Sequence, residues 1–140
     1  MTRVFAFAAC VALVACATRP VPTGDAAVTY GGPEPAPSAE VRAPDAPPRI
    51  TAIWISGRTF SGGDLVRIRV TASTNVALVE MRTFGYGRAL IKRDFGKFGS
   101  AYHVPVLPPF ARIPYTIDFH FIARNTAGAA VTDDAKIDVR

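Results

Sequence analysis

Alternating apolar and polar positions mark three strands in the second half of the chain. Between Leu65 and Ala72, valine and isoleucine occupy every second position, and arginine and threonine stand between them. Residues 116–124 repeat the pattern with isoleucine and phenylalanine, and residues 134–140 repeat it with alanine, isoleucine and valine. Because successive side chains of a strand point to opposite faces, this period of two predicts strands with one buried face.

Four weaker strands are predicted between these and before them, each bounded by residues that favour turns. They cover Ile50–Ile55, Ala77–Phe84, Arg88–Phe95 and Ala101–Val106. The chain shows no internal repeat and no useful helical periodicity. Seven short strands within residues 49–140 predict an all-β fold, a single immunoglobulin-like sandwich.

The hairpin over residues 115–128 carries a family resemblance. An alternating strand leads into Ala123-x-Asn125-x-x-Gly128, which resembles the last hairpin of fibronectin type III and bacterial immunoglobulin-like domains. Asparagine and glycine supply the turn conformations that such a hairpin needs. The family's strand tyrosine is replaced here by Ile117, which leaves open whether Tyr115 forms a tyrosine corner. The immunoglobulin disulfide is also missing, since both cysteines lie in the first sixteen residues.

The first fifteen residues are typical of a secretory signal. Arg3 provides a short basic start, and an apolar stretch follows from Val4 to Val14. As a helix, the uninterrupted apolar run from Val4 to Ala15 would span roughly 18 Å, which is too short for a hydrocarbon core of about 30 Å. The sequence therefore predicts a cleaved leader over residues 1–15.

The end of this leader resembles the lipobox of bacterial lipoproteins, which here consists of Leu13, Val14, Ala15 and Cys16. The resemblance implies a diacylglyceryl group on the Cys16 thiol and cleavage between Ala15 and Cys16. Two or more acyl chains would hold the protein stably in a membrane. The alternative is an ordinary signal cut near residue 17 or 18. Because residue 17 is Ala rather than Asp, the resemblance implies an outer-membrane lipoprotein facing the periplasm.

Residues 16–48 are predicted to be a lipidated cysteine followed by a disordered, Pro-rich linker. Residues 17–48 hold eight of the twelve prolines and few branched apolar residues. Such a composition does not bury enough surface to offset the entropy of ordering. The linker would let the sandwich stand away from the bilayer. An alternative is that Pro33, Pro35 and Pro37 form a ligand for an aromatic groove.

Charge divides the chain into two parts. Residues 49–140 carry 13 Lys and Arg against 7 Asp and Glu, a net of +6, whereas residues 17–48 carry two Arg and four acids, a net of −2. Cationic residues interleaved with aromatic ones predict a surface for anionic lipid headgroups or glycans. This predicted binding surface comprises Arg82, Tyr86, Arg88, Lys92, Arg93 and Lys97. The alternative is a set of solvated strand faces. Nucleic acid is not an expected partner of an exported chain.

Catalytic chemistry has little support in the sequence. His103 and His120 lie on different predicted strands, with no cysteine nearby and no zinc-site spacing. Asp133 and Asp134 could offer oxygen ligands to Ca²⁺ together with Asn125, but a polar turn explains them equally. We therefore predict a protein that is not an enzyme and has no cofactor or metal.

The sequence as a whole predicts a membrane-anchored envelope lipoprotein. Its sandwich is expected to bind a protein or glycan component of the envelope, as an interaction or assembly module; this function is inferred from the fold. One alternative is an accessory subunit or chaperone of a secretion or surface-appendage machine, which accepts a partner strand at a sheet edge. A further alternative, an envelope glycan hydrolase, needs a pair of carboxylates in a cleft.

Overall fold

The computed structural model describes residues 20–36, 38–84, 86–92 and 97–140, which form an all-β fold. The strands are β1 (Ala27–Tyr30), β2 (Ile50–Ile55), β3 (Thr59–Phe60), β4 (Leu65–Ala72), β5 (Val76–Thr83), β6 (Tyr86–Ala89), β7 (Ile91–Lys92), β8 (Lys97–His103), β9 (Tyr115–Asn125) and β10 (Ala130–Val139). A first sheet has the order β1-β2-β4-β8-β7, and a second has the order β3-β10-β9-β5-β6. Within the described ranges, no helix has the length and apolarity needed to cross a bilayer.

The core lies between the two sheets, so the fold is a β-sandwich. Phe98 and Ile68 of the first sheet and Phe119, Phe121 and Ile137 of the second are almost fully buried in one hydrophobic cluster. These residues occupy the apolar positions of the alternating pattern. The prediction of an all-β fold is confirmed, and the predicted bounds of β2 and β4 agree with the structure.

The predicted number of seven strands is wrong, because the described residues contain ten. The segment predicted as one strand from Arg88 is divided between β6 in the second sheet and β7 in the first. The division falls at Leu90, whose side chain enters the core while its N–H donates to the carbonyl of Val79. β1 has four residues and β3 has two, and each pairs in parallel, with β2 and β10 respectively.

The N-terminal strap, defined here as residues 20–36, lies along the sandwich. It first pairs with β10 through a parallel bridge between Thr23 and Thr132. It then adds β1 to the edge of the first sheet, where Tyr30 lies beside Ile55. The prediction of a disordered linker is therefore wrong for the described part of residues 17–48.

Beyond β1, the strap crosses the outer face of the first sheet. The indole N–H of Trp54 donates to the Gly31 carbonyl at 3.0 Å. The Glu34 carboxylate lies 2.8 Å from Arg69 Nε and 3.2 Å from Lys97 Nζ, and the side chains of these two cations are only 11% and 9% exposed. Burial opposes ionisation of Glu34, but hydrogen bonds from Lys97 and Arg69 hold its pKa below the usual value.

Residues 38–48 continue around the end of the sandwich at which β5 begins and β9 ends. The side-chain amide of Asn75 donates to the carbonyls of Ala43 and Ala46, and that of Asn125 also donates to Ala46. These hydrogen bonds to main-chain carbonyls do not require apolar side chains. The low apolar content of residues 38–48 therefore does not indicate that they are ordered.

The two ends of the sandwich carry different segments. We call base the end where β10 begins and tip the end where β9 begins. The strap approaches β10 at the base, because residues 22 and 24 bond the main chain of Thr132. β10 then runs ten residues towards the tip, a distance of about 33 Å.

Asp133 is a buried carboxyl group near the base, only 6% exposed. Its Oδ1 accepts a hydrogen bond from the Ala26 N–H at 3.3 Å, whereas its Oδ2 has no partner among the described residues. A Cβ on Gly24 would overlap with this oxygen, so the close approach requires glycine. Burial raises the pKa of Asp133, and the charges of Asp25 and Asp134 raise it further against the effect of the Ala26 hydrogen bond.

Asp133→Asn is expected to stabilise the protein by about 1–2 kcal/mol at pH 7, because it removes a buried, incompletely paired charge. The raised pKa means that the folded state binds the proton more tightly than the unfolded state. Wild-type stability therefore falls as pH rises through this pKa, and the difference from Asp133→Asn disappears below about pH 3. Chemical denaturation at both pH values measures this, with Asp118→Asn as an exposed control. A less stable Asp133→Asn at pH 7 would contradict the prediction.

Candidate binding site at the tip of the sandwich

The described members of the predicted cationic surface do not share one face. Lys97 is 7% exposed and is held under the strap, so it does not contribute to an exposed surface. Arg82 is exposed on β5 of the second sheet and pairs with Glu80 at 2.8 Å. Arg88 of β6 donates to the carbonyl of Ala101 on the first sheet. These side chains therefore do not meet at a common ligand.

The other predicted site residues fall in three places. Tyr86 lies in β6 and Lys92 lies in β7. Arg93 lies outside the described residues. The lipobox residues Leu13, Val14, Ala15 and Cys16 also lie outside them.

The polar groups considered for catalysis or metal binding are dispersed. His103 ends β8 in the first sheet, and His120 contacts Asp134 on the outer face of the second. Asp133 points inward while its neighbour Asp134 points outward, because successive strand residues alternate. In the ranges that the structure covers, no group of three His, Cys, Asp or Glu side chains could hold a metal ion.

The tip has a cavity of about 310 Å³. Residues 105–107 and 112–113 of the segment 105–113 form one wall, and residues 61–62 of the turn before β4 form another. Two main-chain hydrogen bonds fix Val104 at the start of this segment. Its carbonyl accepts from the Gly63 N–H at 2.8 Å, and its N–H donates to the main-chain carbonyl of Asp64 at 3.0 Å. Prolines lock the backbone that follows, and a short 3₁₀ turn runs from Pro109 to Ala111.

Three large apolar side chains of this segment face solvent. Phe110 is 91% exposed, Ile113 is 71% exposed and Val106 is 69% exposed. Single apolar residues are common on protein surfaces, but a group of them beside a cavity marks an interaction site. Val106 and Ile113 also line the cavity, whereas Phe110 lies on the same segment but outside the lining.

The charged side chains that line the tip cavity are cationic. Arg112 and Arg140 line it together with Ser61, and its lining includes no Asp or Glu side chain. The Nε of Arg112 donates to the Leu107 carbonyl at 3.3 Å, which orients the guanidinium. Neither arginine pairs with a carboxylate in the described part of the chain. An anionic group would therefore complement this charge.

Tyr115 forms another wall of the cavity, at the start of β9. Its hydroxyl is buried and has no hydrogen-bond partner among the described residues. The tyrosine corner that the hairpin resemblance left open is thus not formed by a bond from this hydroxyl to a described residue. Buried hydroxyls are normally satisfied, so this hydroxyl is an exception within the described residues.

No protein-family model matches this chain, and neither a curated protein nor a solved structure shows significant similarity to it. The shape, apolar exposure and charge of the tip therefore define it as the candidate site.

A second, wider groove of about 560 Å³ lies between β1 and β10. Its charged lining residues carry both signs, with Arg58 and Lys136 beside Asp118 and Asp134. One hydrogen bond links the two strands that form this groove, because the Tyr30 hydroxyl donates to the Lys136 carbonyl at 2.8 Å. This mixed charge gives the groove no clear preference for a ligand class.

The sequence pattern did not identify the tip. The strand predicted over Ala101–Val106 ends at His103 in the structure, and Val106 is exposed. A possible signal is the crowding of prolines with unpaired apolar residues between Val104 and Pro114. Prolines rarely occupy central strands, so these apolar residues have no sheet face on which to be buried.

Proposed function

We propose that this chain is an envelope lipoprotein anchored to a membrane through Cys16, and that its immunoglobulin-like sandwich binds another envelope component at the tip. The lipobox resemblance at residues 13–16 and the hairpin resemblance at residues 115–128 support the two halves of this proposal. The observation that carries it is the placement of the strap at the base and the apolar, cationic cavity at the tip.

The spacing of these two features sets the geometry of the anchored protein. Pro20 is the first described residue, and the four residues from Cys16 to Pro20 reach at most about 14 Å when fully extended. The base would then lie close to the bilayer rather than tens of ångströms away. The tip, about 33 Å further along the strands, would point towards other components.

The proposed location is the outer membrane, facing the periplasm, because Ala17 replaces the aspartate associated with inner-membrane retention in Gram-negative enterics. The proposed partner is a protein or glycan of the envelope. Strand addition, as in a chaperone or appendage subunit, is less favoured because the four edge strands have only two to four residues. Glycan hydrolysis is less favoured because the tip cavity has no carboxylate pair in its described lining.

Cys16→Ala is expected to abolish acyl labelling and to move the protein from the membrane fraction to the soluble fraction. The physical reason is that loss of the thiol removes the acyl chains, each of whose buried methylenes contributes about 0.8 kcal/mol. Metabolic labelling with a fatty acid and fractionation of cells measure both effects. Cys10→Ala is the matched control, since it changes the same residue type within the same leader. Unchanged membrane association of Cys16→Ala would refute the anchor.

A further inference from the structure

The tip combines three properties that together select a class of partner. Its cavity is small, its lining exposes Val106 and Ile113 while Phe110 is exposed on the same segment, and its charged side chains are Arg112 and Arg140. Aromatic residues and arginine are the types that contribute most to binding energy at protein interfaces. The tip therefore has the composition of an interface centre.

The shape of the cavity argues for a discrete side chain as occupant. A volume of about 310 Å³ is at the lower limit of small-molecule sites, and it suits one apolar side chain with its neighbouring main chain. A flat bilayer surface would cover Phe110 but would leave the cavity beside it unfilled. A second copy of this chain would bring the arginines of two tips together, and like charges in such an interface are costly.

We propose that the tip binds a protein segment in which an apolar residue is flanked by acidic residues. The apolar side chain enters the cavity between Val106 and Ile113, and a flanking carboxylate pairs with Arg112. Phe110 packs over the bound segment and excludes water from the ion pair, which strengthens it. This inference rests on the proposed binding function of the tip and adds the chemistry of the partner.

The test uses the lipidated full-length protein in nanodiscs of zwitterionic lipid and short capped peptides labelled with a fluorophore. One peptide has a leucine between two glutamates, a second has lysines in place of the glutamates, and a third has serine in place of the leucine. Fluorescence anisotropy should detect binding of the first peptide only, and this binding should weaken as ionic strength rises.

Arg112→Gln is expected to weaken binding of the acidic peptide about 10-fold, which corresponds to the loss of one charge-assisted hydrogen bond. Phe110→Ala is expected to weaken it to a similar extent, and because Phe110 is 91% exposed its replacement does not disturb the core. Arg124→Gln is the matched control, since it removes the same charge from the base end of β9, away from the cavity lining. Its affinity should equal that of the wild type.

Several outcomes would overturn the inference. Equal binding of the acidic and lysine peptides would exclude charge recognition, and a loss confined to Arg124→Gln would move the site to the base end of β9. Phe110-dependent binding to phosphatidylglycerol vesicles, without peptide binding, would assign the tip to a bilayer. Photocrosslinking from position 110 in living cells distinguishes a wrong partner chemistry from a wrong binding function of the tip. A discrete protein adduct without binding of the acidic peptide would refute the partner chemistry and leave the binding function in place.

Discussion

Tyr30→Ala is expected to lower the free energy of unfolding by about 3 kcal/mol, or roughly 10 °C in Tm. Tyr30 is the last residue of β1, and its ring packs against the core cluster. Its hydroxyl donates to the Lys136 carbonyl at 2.8 Å, and the guanidinium of Arg58 lies 5.0 Å from its ring centre. Chemical denaturation and thermal unfolding of the purified protein measure the loss.

Tyr30→Phe distinguishes the contribution of the ring to stability from that of the hydroxyl. It keeps the packing against the core and the contact with Arg58 but loses the hydrogen bond to Lys136, so we expect a loss of about 1 kcal/mol. A disordered linker would make both substitutions neutral. Unchanged stability of Tyr30→Ala would therefore show that the strap does not contribute to folding.

Glu34→Gln is expected to cost about 2 kcal/mol at pH 7, because it leaves Arg69 and Lys97 as neighbouring cations without an anion. Removing one partner of a fully buried ion pair typically costs 3–5 kcal/mol. The expected loss here is smaller, because the Glu34 side chain is 35% exposed and water screens the pair.

Glu80→Gln is the matched control for this substitution. Glu80 lies 2.8 Å from Arg82 Nε, the same distance that separates Glu34 from Arg69 Nε, but the Arg82 side chain is 52% exposed and that of Arg69 is 11% exposed. Exposed pairs contribute little, so Glu80→Gln should change stability by well under about 1 kcal/mol. Equal losses in the two variants would show that burial does not strengthen the Glu34 cluster.

The pH dependence of Glu34 has the opposite sign to that of Asp133. The pKa of Glu34 is lowered in the folded state, so its stabilising effect is present above the ordinary glutamate pKa of 4.5 and is lost as pH falls through the lowered value. The deficit of Glu34→Gln at pH 7 should therefore shrink towards zero as acid protonates the wild-type carboxyl. Denaturation curves for both carboxyl variants from pH 7 to pH 3 test this contrast.

Strands with regular alternation were predictable because their pattern is local. The bounds of β4 follow from alternating residues between Leu65 and Ala72, and every second residue of β9 from Ile117 to Ala123 is buried as expected. The sequence pattern does not separate β6 from β7, because the crossover at Leu90 depends on which sheet each half joins. That choice is a property of the whole sandwich, since it depends on contacts with Val79 and with β8.

The strap and the site depended on contacts that lie far apart in sequence. Tyr30 bonds a residue 106 positions away, and Lys97 is buried only because Glu34 and Pro35, more than 60 positions earlier, cover it. Lys97 lies between the strands predicted over residues 88–95 and 101–106, and no local pattern shows that the strap covers it. The exposure of Phe110 is equally non-local, because an apolar loop residue packs or projects according to its neighbours in space.

If the protein is held at one end and bound at the other, as we propose, the parallel attachment of the strap has a mechanical consequence. A pull between Cys16 and the tip would act along the strands, whereas the hydrogen bonds between β1 and β2 run across them. Such a force shears the bonds together instead of opening them one after another. The short edge strand would then resist tension better than its four residues suggest.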